Sequence, residues 1–134
     1  MNDINKLTDE NDVAIYPQSI VKLAQNPPHY SRMDDFTNSA CIKGPCGDSM
    51  EFYLYIKEGI IEKVSFYTEG CVSTRACGSI AAQFVSGKSI KDALGISPKM
   101  ILDQLSGLPG HYSHCAILTV TAFLRAIADY LLQR

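Results

Sequence analysis

The stretch that decides the fold is residues 50–68, which read MEFYLYIKEGIIEKVSFYT. Apolar and polar residues alternate from Met50 to Lys57, a pattern typical of a strand with one buried face. Glu58 and Gly59 suit a two-residue turn, so we expect a second, antiparallel strand after them. The predicted inner face of that strand is interrupted at Glu62 and consists of Ile60, Val64, Phe66 and Thr68.

A third strand and several helices complete the expected fold. Residues 38–43 are the weaker candidate for a strand, and apolar periodicity predicts helices after Pro17 and near Ser73, then two short helices. The longest helix is expected from about Ser113 to the C-terminus. Its inward stripe is predicted to be Ile117, Val120, Leu124, Ile127 and Leu131.

The order of these elements is typical of an α+β domain. We therefore predict a small three-stranded antiparallel sheet with helices packed on one face and a long C-terminal helix. Residues 1–15 are expected to form a flexible leader, and residues 16–134 a single domain.

Composition excludes several functions. The chain has 134 residues, of which 46% are hydrophobic, enough for one domain with its own core. Its 12 Lys and Arg residues against 14 Asp and Glu leave a net charge of -2, so we expect neither nucleic acid nor a membrane as a partner. Asp3, Asp9 and Glu10 stand where a signal peptide would carry positive charge, which favours the cytoplasm.

Five cysteines are the most informative residues of the chain. In a reduced compartment an odd number indicates metal ligands, nucleophiles or buried thiols rather than a disulfide framework. Cys41 and Cys77 lie within a predicted strand and a predicted helix, where simple packing or inert thiols are expected. Cys46, Cys71 and Cys115 lie instead at turns or helix starts.

Two polar residues lie beside these thiols. Cys46 belongs to a bend rich in glycine and proline, residues 44–48, in which Asp48 offers an oxygen ligand. His114 directly precedes Cys115 and offers an imidazole nitrogen. Both residue types are known metal ligands.

Cys71 and Cys115 each precede a predicted helix. We expect Ser73 or Thr74 to cap the first of these helices and Ser113 to cap the second. The positive end of a helix dipole lowers the pKa of a thiol placed there and favours the thiolate.

Thiolates prefer zinc, copper(I) or iron–sulfur centres to magnesium and calcium. The spacing gives no paired motif, because 25 residues separate Cys46 from Cys71 and 44 separate Cys71 from Cys115. Any site must therefore be assembled by the fold.

Several segments, in chain order, resemble the IscU/NifU N-terminal scaffold family. They are Asn26-Pro27, Gly44-Pro45-Cys46-Gly47-Asp48-Ser49-Met50, Ile60-Ile61 leading to Phe66-Tyr67-Thr68-Glu69-Gly70-Cys71, Gly87-Lys88-Ser89, and Leu108-Pro109 leading to His114-Cys115. The resemblance runs from about Ser19 to the C-terminus. Its most specific part is the set of three cysteines with an Asp two residues after the first.

The resemblance implies a scaffold rather than an enzyme. Such a protein accepts sulfur from a cysteine desulfurase, and iron, builds a [2Fe–2S] or [4Fe–4S] cluster, and passes it to recipient apo-proteins. The implied ligands are Cys46, Cys71 and Cys115, with Asp48 as a labile oxygen ligand and His114 as an alternative. Whether the chain forms a homodimer stays open.

Two segments depart from the family pattern. Leu108-Pro109-Gly110-His111-Tyr112 replaces the Leu-Pro-Pro-Val-Lys segment that a specialised Hsp70 chaperone recognises, so the resemblance does not extend to an Hsp70-type partner. After Cys71 the usual Gly-Ser-Ala run becomes Val72-Ser73-Thr74-Arg75-Ala76-Cys77. This change adds a thiol and a positive charge at Arg75, which we expect to be exposed.

Three other functions could use the same residues. A zinc-binding sulfur acceptor would hold Zn²⁺ on these thiols, and zinc is also expected in protein purified in air. An enzyme with a Cys–His pair would need a base other than His114 for Cys115, because neighbouring helical side chains do not face each other. An electron-transfer ferredoxin is disfavoured because closely spaced cysteines are missing.

Overall fold

The computed structural model of the protein describes residues 16–45, 47–106, 108 and 110–133. The predicted leader, residues 1–15, and Cys46 lie outside them. In chain order the elements are α1 (Gln18–Gln25), β1 (Asn38–Lys43), β2 (Ser49–Lys57), β3 (Ile60–Tyr67), α2 (Val72–Val85), α3 (Ile90–Ala93), α4 (Pro98–Gln104), a 3₁₀ turn (Gly110–Tyr112) and α5 (His114–Leu132).

The strands form one antiparallel sheet in the order β1-β2-β3. Helices α2 and α5 pack on its inner face, and α1 packs on α2. This arrangement confirms the predicted α+β fold with its long C-terminal helix.

The β2–β3 hairpin turns where the sequence predicts. Glu58 and Gly59 adopt φ angles of 54° and 76°, the positive values that a primed two-residue turn requires. Lys57 and Ile60, on either side of the turn, are paired. The turn therefore sets the register of the hairpin from its closed end.

A β-bulge at Glu62 then shifts this register. Ile56 pairs with Ile61, whereas the residue before Ile56 pairs two positions further along β3. Ile61 is consequently buried, and Ile60 is 38% exposed. The prediction that Ile60 faces inward is wrong, because the bulge changes which residues of the strand share a face.

The core lies between the sheet and the helices. The ring of Phe52 in β2 lies 6.2 Å from that of Phe66 in β3 and 5.9 Å from that of Phe123 in α5. Helix α2 comes close to the sheet at Gly78, where a Cβ atom would lie 2.5 Å from the Phe66 ring. A larger residue at this position would push α2 away from the sheet.

Helix α5 buries a different face from the one predicted. Its buried residues are Cys115, Ala116, Leu118, Thr119, Val120, Ala122, Phe123, Ala126 and Ile127. Within the predicted stripe, Ile117, Leu124 and Leu131 are 57%, 39% and 46% exposed, and only Val120 and Ile127 face the core. Apolar residues lie on more than one face of this helix, so their periodicity alone does not predict which face is buried.

The same helix, His114–Leu132, is long and apolar enough to cross a membrane by length and composition. Half of its most apolar window is buried inside the protein. A helix that packs in a protein core has these properties too, so they give no separate reason to place α5 in lipid.

Arg75 is buried, with 4% of its surface exposed, so the expectation that it faces solvent is wrong. Its guanidinium lies 4.1 Å from the centre of the Tyr30 ring and donates to the Tyr30 hydroxyl at 2.8 Å. That hydroxyl donates in turn to the carbonyl of Thr68 at 2.6 Å. The aromatic partner lies far away in sequence, which is why the pattern around Arg75 did not reveal it.

A continuous stack of side chains links Arg75 to the outer face of the sheet. The Tyr30 ring stacks on Tyr67 with centroids 5.3 Å apart, and the Arg32 guanidinium lies 4.0 Å above Tyr67. We call Arg32, Tyr67, Tyr30 and Arg75 the arginine–tyrosine stack. It ties the loop after α1 to the first turn of α2.

Removing the buried end of this stack should destabilise the fold. We expect Arg75→Ala to lower the free energy of unfolding by about 1–3 kcal/mol, because it removes a cation–π contact and a hydrogen bond that are both shielded from water. Chemical denaturation measures the change. Arg125→Ala, at an exposed position, is the control and should change stability by less than about 0.5 kcal/mol. Equal effects of the two substitutions would contradict the assigned role of the stack.

Candidate functional site

Three of the predicted ligands converge at one end of the molecule. A carboxylate oxygen of Asp48 and the sulfurs of Cys71 and Cys115 all lie within 4.8 Å of one another. Asp48 directly precedes β2, Cys71 connects β3 to α2, and Cys115 lies in the first turn of α5. The position of Cys46 in this set stays a prediction, because that residue lies outside the described ranges.

Asp48 is placed by a tight turn and by the missing side chain of Gly70. The Gly44 amide donates to the Asp48 carbonyl at 2.8 Å, and the Gly47 amide donates to the Gly44 carbonyl at 3.1 Å. Gly47 has a φ of 95°, which favours glycine. A Cβ atom on Gly70 would lie 2.9 Å from Asp48 Oδ2, so the carboxylate occupies space that a larger residue at this position would need.

Asp48 also borders a surface cleft of about 330 Å³. The described residues that line the cleft are Arg32, Gly47, Asp48, Ser49, Glu51, Tyr67, Glu69 and Gly70. Neither Cys71 nor Cys115 lines it, and only 1% of Cys115 is exposed. The cleft therefore leads from solvent to the carboxylate side of the site.

Of the two neighbouring thiols, Cys71 and Cys115, Cys71 is the one that favours the thiolate form. A hydrogen bond from Cys115, together with the backbone amides of Thr74 and Ser73, lowers the pKa of Cys71, although burial opposes the shift. The sequence predicts this direction from the helix start, but the largest cause is the neighbouring thiol. Cys71 is itself the N-cap residue, so the prediction that Ser73 or Thr74 caps α2 is wrong.

Cys115 is the protonated partner. The interaction with Cys71 and burial both raise its pKa. His114 Nε2 lies 3.6 Å from Cys115 Sγ, so the expectation that these neighbours do not face each other is wrong. His114 is the first residue of α5. Ser113 precedes it as the N-cap residue, but its side chain makes no capping hydrogen bond.

Tyr16 and Tyr112 form an aromatic side of the site. Their ring centroids are 5.4 Å apart, and the Tyr112 centroid is 6.4 Å from that of His114. Burial raises the pKa of Tyr16, and the hydrogen bond to Cys71 and the negative charge of that thiolate act in the same direction. Tyr16 therefore stays a neutral donor beside the Cys71 sulfur.

Thr74 lies among the three predicted ligands, and its hydroxyl oxygen contacts all of them. It is 2.8 Å from Asp48 Oδ2, 3.4 Å from Cys115 Sγ and 3.7 Å from Cys71 Sγ. The residue is fully buried. Its side chain therefore belongs to the site rather than to the helix cap.

The donor set suits a soft metal ion or an iron–sulfur cluster. Two sulfurs with one carboxylate oxygen match zinc or iron–sulfur chemistry, whereas magnesium and calcium prefer oxygen alone. Ser73, two residues after Cys71, is fully buried, and its hydroxyl interacts with the thiols of Cys77 and Cys115.

Comparison with known proteins connects this site to a family. The family described as the NifU-like N-terminal domain matches residues 15–134. The chain belongs to this family. The iron–sulfur cluster assembly scaffold protein IscU of Escherichia coli K12 is 35% identical over 124 residues, which cover 89% of this chain and 96% of the relative.

Two further relatives agree. The iron–sulfur cluster assembly scaffold protein IscU 1 of Archaeoglobus fulgidus is 34% identical over 117 residues, covering 87% of this chain and 76% of that protein. The crystal structure of the N-terminal part of a NifU-like protein from Brucella abortus shares the fold, with a TM-score of 0.70 at 18% identity and coverage of 90% and 96%. The predicted family and fold are both confirmed.

The sequence of this NifU-like chain carries a signal for Thr74 as a residue of the site. Thr74 follows Cys71 by three residues, a spacing that places both on one side of a helical turn. It also lies in the run that replaces the usual Gly-Ser-Ala. Tyr16 had no comparable signal, because nothing near it in the sequence points to Cys71.

The two remaining thiols differ from each other. Cys77 is fully buried, and burial raises its pKa to about 12, as expected for an inert packing thiol. Cys41 is exposed on β1, so simple packing is wrong for it, whereas an inert thiol at this position stays a prediction. Cys41 is paired with Glu51 in a register where its side chain points away from the core.

A methyl group at Gly70 should disrupt the site without disrupting the core. We expect Gly70→Ala to displace Asp48 or Thr74 and to weaken Co²⁺ binding on the order of tenfold, as changes around metal ligands commonly do. Titration of the absorption bands of Co²⁺ measures the affinity. Gly110→Ala is the matched control, since a Cβ atom there meets nothing within 4 Å. Wild-type Co²⁺ affinity in Gly70→Ala would contradict the prediction, because it would show that the added methyl group displaces neither Asp48 nor Thr74.

Proposed function

We propose that this chain is an iron–sulfur cluster assembly scaffold, a binding and transfer protein that turns over no substrate. Its cargo is a transient cluster, built from iron and from sulfur donated by a cysteine desulfurase, and its recipients are apo iron–sulfur proteins. The observation that carries the proposal is the convergence of Asp48, Cys71 and Cys115 within 4.8 Å in a NifU-like chain. The names of the IscU relatives support the same function.

The proposed ligands are Cys46, Cys71 and Cys115, with Asp48 as the fourth. Asp48 is favoured over His114 because the carboxylate belongs to the set within 4.8 Å. His114 contacts Cys115 and is the alternative ligand if the carboxylate leaves. Loading requires that Cys115 give up its proton, since thiolates rather than thiols bind metals.

A scaffold needs a site that holds its cargo and then releases it. Thiolates bind iron and zinc tightly, whereas a carboxylate is a harder ligand that exchanges with water more readily. Asp48 also lies on the side of the site that opens to the cleft. Exchange with a recipient therefore begins most easily at the carboxylate.

Replacing Asp48 should slow the release of the cargo. We expect Asp48→Ala to lengthen the half-time of cluster transfer to an apo-ferredoxin on the order of tenfold, the effect of about 1.4 kcal/mol on a barrier. Glu69→Ala is the control, because Glu69 lines the same cleft but is not among the converging ligands. Faster transfer from Asp48→Ala than from wild type would overturn the role of the carboxylate.

The remaining features of the proposal follow from the family. The partners are the desulfurase and the recipient proteins, the compartment is the cytoplasm, and residues 16–134 act as one domain. A homodimer that shares one cluster is compatible with the proposal. The proposal includes no Hsp70-type chaperone, because residues 108–112 lack the Leu-Pro-Pro-Val-Lys segment of the family.

The second candidate is a zinc-binding sulfur acceptor. The same observation favours it, because sulfur and oxygen atoms within 4.8 Å of one another can also surround a tetrahedral Zn²⁺ ion. The two functions differ in what the protein carries after exposure to iron and sulfide.

Anaerobic reconstitution separates the two candidates. Wild-type protein incubated with ferrous iron, cysteine and a desulfurase should develop visible sulfur-to-iron charge-transfer bands and then transfer its cluster to apo-ferredoxin. Cys71→Ser should lose most of this absorbance, whereas the exposed Cys41→Ser should keep it. Wild-type protein that shows no such band and retains stoichiometric zinc against a chelator would support the zinc function instead.

A further inference from the structure

The Thr74 hydroxyl has one proton and three neighbours that could accept it. The Asp48 carboxylate is the nearest, at 2.8 Å, whereas the sulfurs of Cys115 and Cys71 lie at 3.4 and 3.7 Å. A hydrogen bond to a carboxylate is also stronger than one to a thiol. The proton of Thr74 therefore goes to Asp48.

Few other groups hold this carboxylate. Within the described ranges, Thr74 makes the only side-chain hydrogen bond to Asp48. Gly70 contributes space rather than a contact. On its other side Asp48 borders the cleft, so an Asp48 without Thr74 is free to turn toward water.

We propose that Thr74 is the positioning residue that keeps Asp48 among the ligands of the cargo. This inference rests on the proposed function, and it assigns to Thr74 the positioning of Asp48, the exchangeable ligand of the cluster. One carboxylate oxygen is committed to the hydroxyl, so the other is the one left to bind, and Asp48 acts as a single-oxygen ligand. Thr74 itself binds no metal in this role.

Thr74 is well suited to this role by its own placement. It is fully buried in the first turn of α2, where the backbone amides that serve Cys71 also lie. Its β-branched side chain has only a few χ1 angles open to it on a helix, and burial restricts them further. The hydroxyl is therefore limited in direction by its surroundings before it meets the carboxylate.

If Thr74 positions Asp48, removing the Thr74 hydroxyl should have the same effects on metal binding and cluster release as removing the Asp48 carboxylate. Thr74→Val keeps the size of the side chain and removes the donor, whereas Thr74→Ser keeps the donor. Affinity for a single ion should fall because a ligand is lost. Cluster release should slow because the ligand at which exchange begins is lost. These effects should not add to those of Asp48→Ala, because both changes act through one carboxylate.

The test is a double-mutant cycle on the full chain, with Co²⁺ as the probe. We expect Thr74→Val, Asp48→Ala and the double variant each to weaken Co²⁺ binding on the order of tenfold, with matching changes in the d–d bands. Thr74→Ser should stay within about threefold of wild type. Thr121→Val, at an exposed position of α5, is the matched control, and Thr74→Ala provides a second donor-free variant should the valine disturb folding.

Two results would overturn the inference. One is a Thr74→Val or Thr74→Ala protein that binds Co²⁺ with wild-type affinity and spectrum. The other is a double variant in which the two single effects multiply. Cluster reconstitution on the wild-type protein reports separately on the proposed function, because Co²⁺ binding needs neither sulfide nor a desulfurase. If the Co²⁺ cycle shows coupling between Thr74 and Asp48 but the wild-type protein assembles no cluster, only the proposed function is contradicted.

Discussion

The close approach of α2 to the sheet at Gly78 is the constraint on which the site depends. Glycine within a helix costs about 1 kcal/mol relative to alanine, and here the missing side chain makes room for the Phe66 ring. Because α2 lies so near the sheet, its first turn stands directly over the turn that carries Asp48. The thiol of Cys71 and the hydroxyl of Thr74 thereby come within contact of a carboxylate that belongs to another element.

The arginine–tyrosine stack supports the same first turn from the opposite side. Arg75 follows Thr74 directly, and its buried guanidinium is held by Tyr30 from the loop after α1. Thr74, which contacts Asp48, and Arg75, which supports the turn, are thus neighbours on a single helical turn. A change in the loop after α1 can therefore reach the site without touching any ligand, because the connection runs through this turn.

Local patterns predicted the sheet, the hairpin turn and the three candidate ligands that the structure brings together. They failed where a residue's surroundings come from distant parts of the chain. The bulge at Glu62 reversed the face expected for Ile60, and the apolar character of α5 hid which face is buried. Thr74 was missed because its partner Asp48 lies on a different element, and a threonine at a helix start is more often a cap. Cys46, the remaining ligand predicted from the sequence, lies outside the described residues.

The cleft beside Asp48 opens the site to solvent on the side of the carboxylate. Solvent reaches the carboxylate through it, while Cys115 lies almost wholly inside the protein. A small chelator or an oxidant that enters by this route meets oxygen before it meets sulfur. Of the three converging groups, Cys115 is consequently the last to be reached, whereas Cys71 keeps a partly exposed surface of its own. The asymmetry of burial would in this way set the order in which the bonds to the cargo are broken.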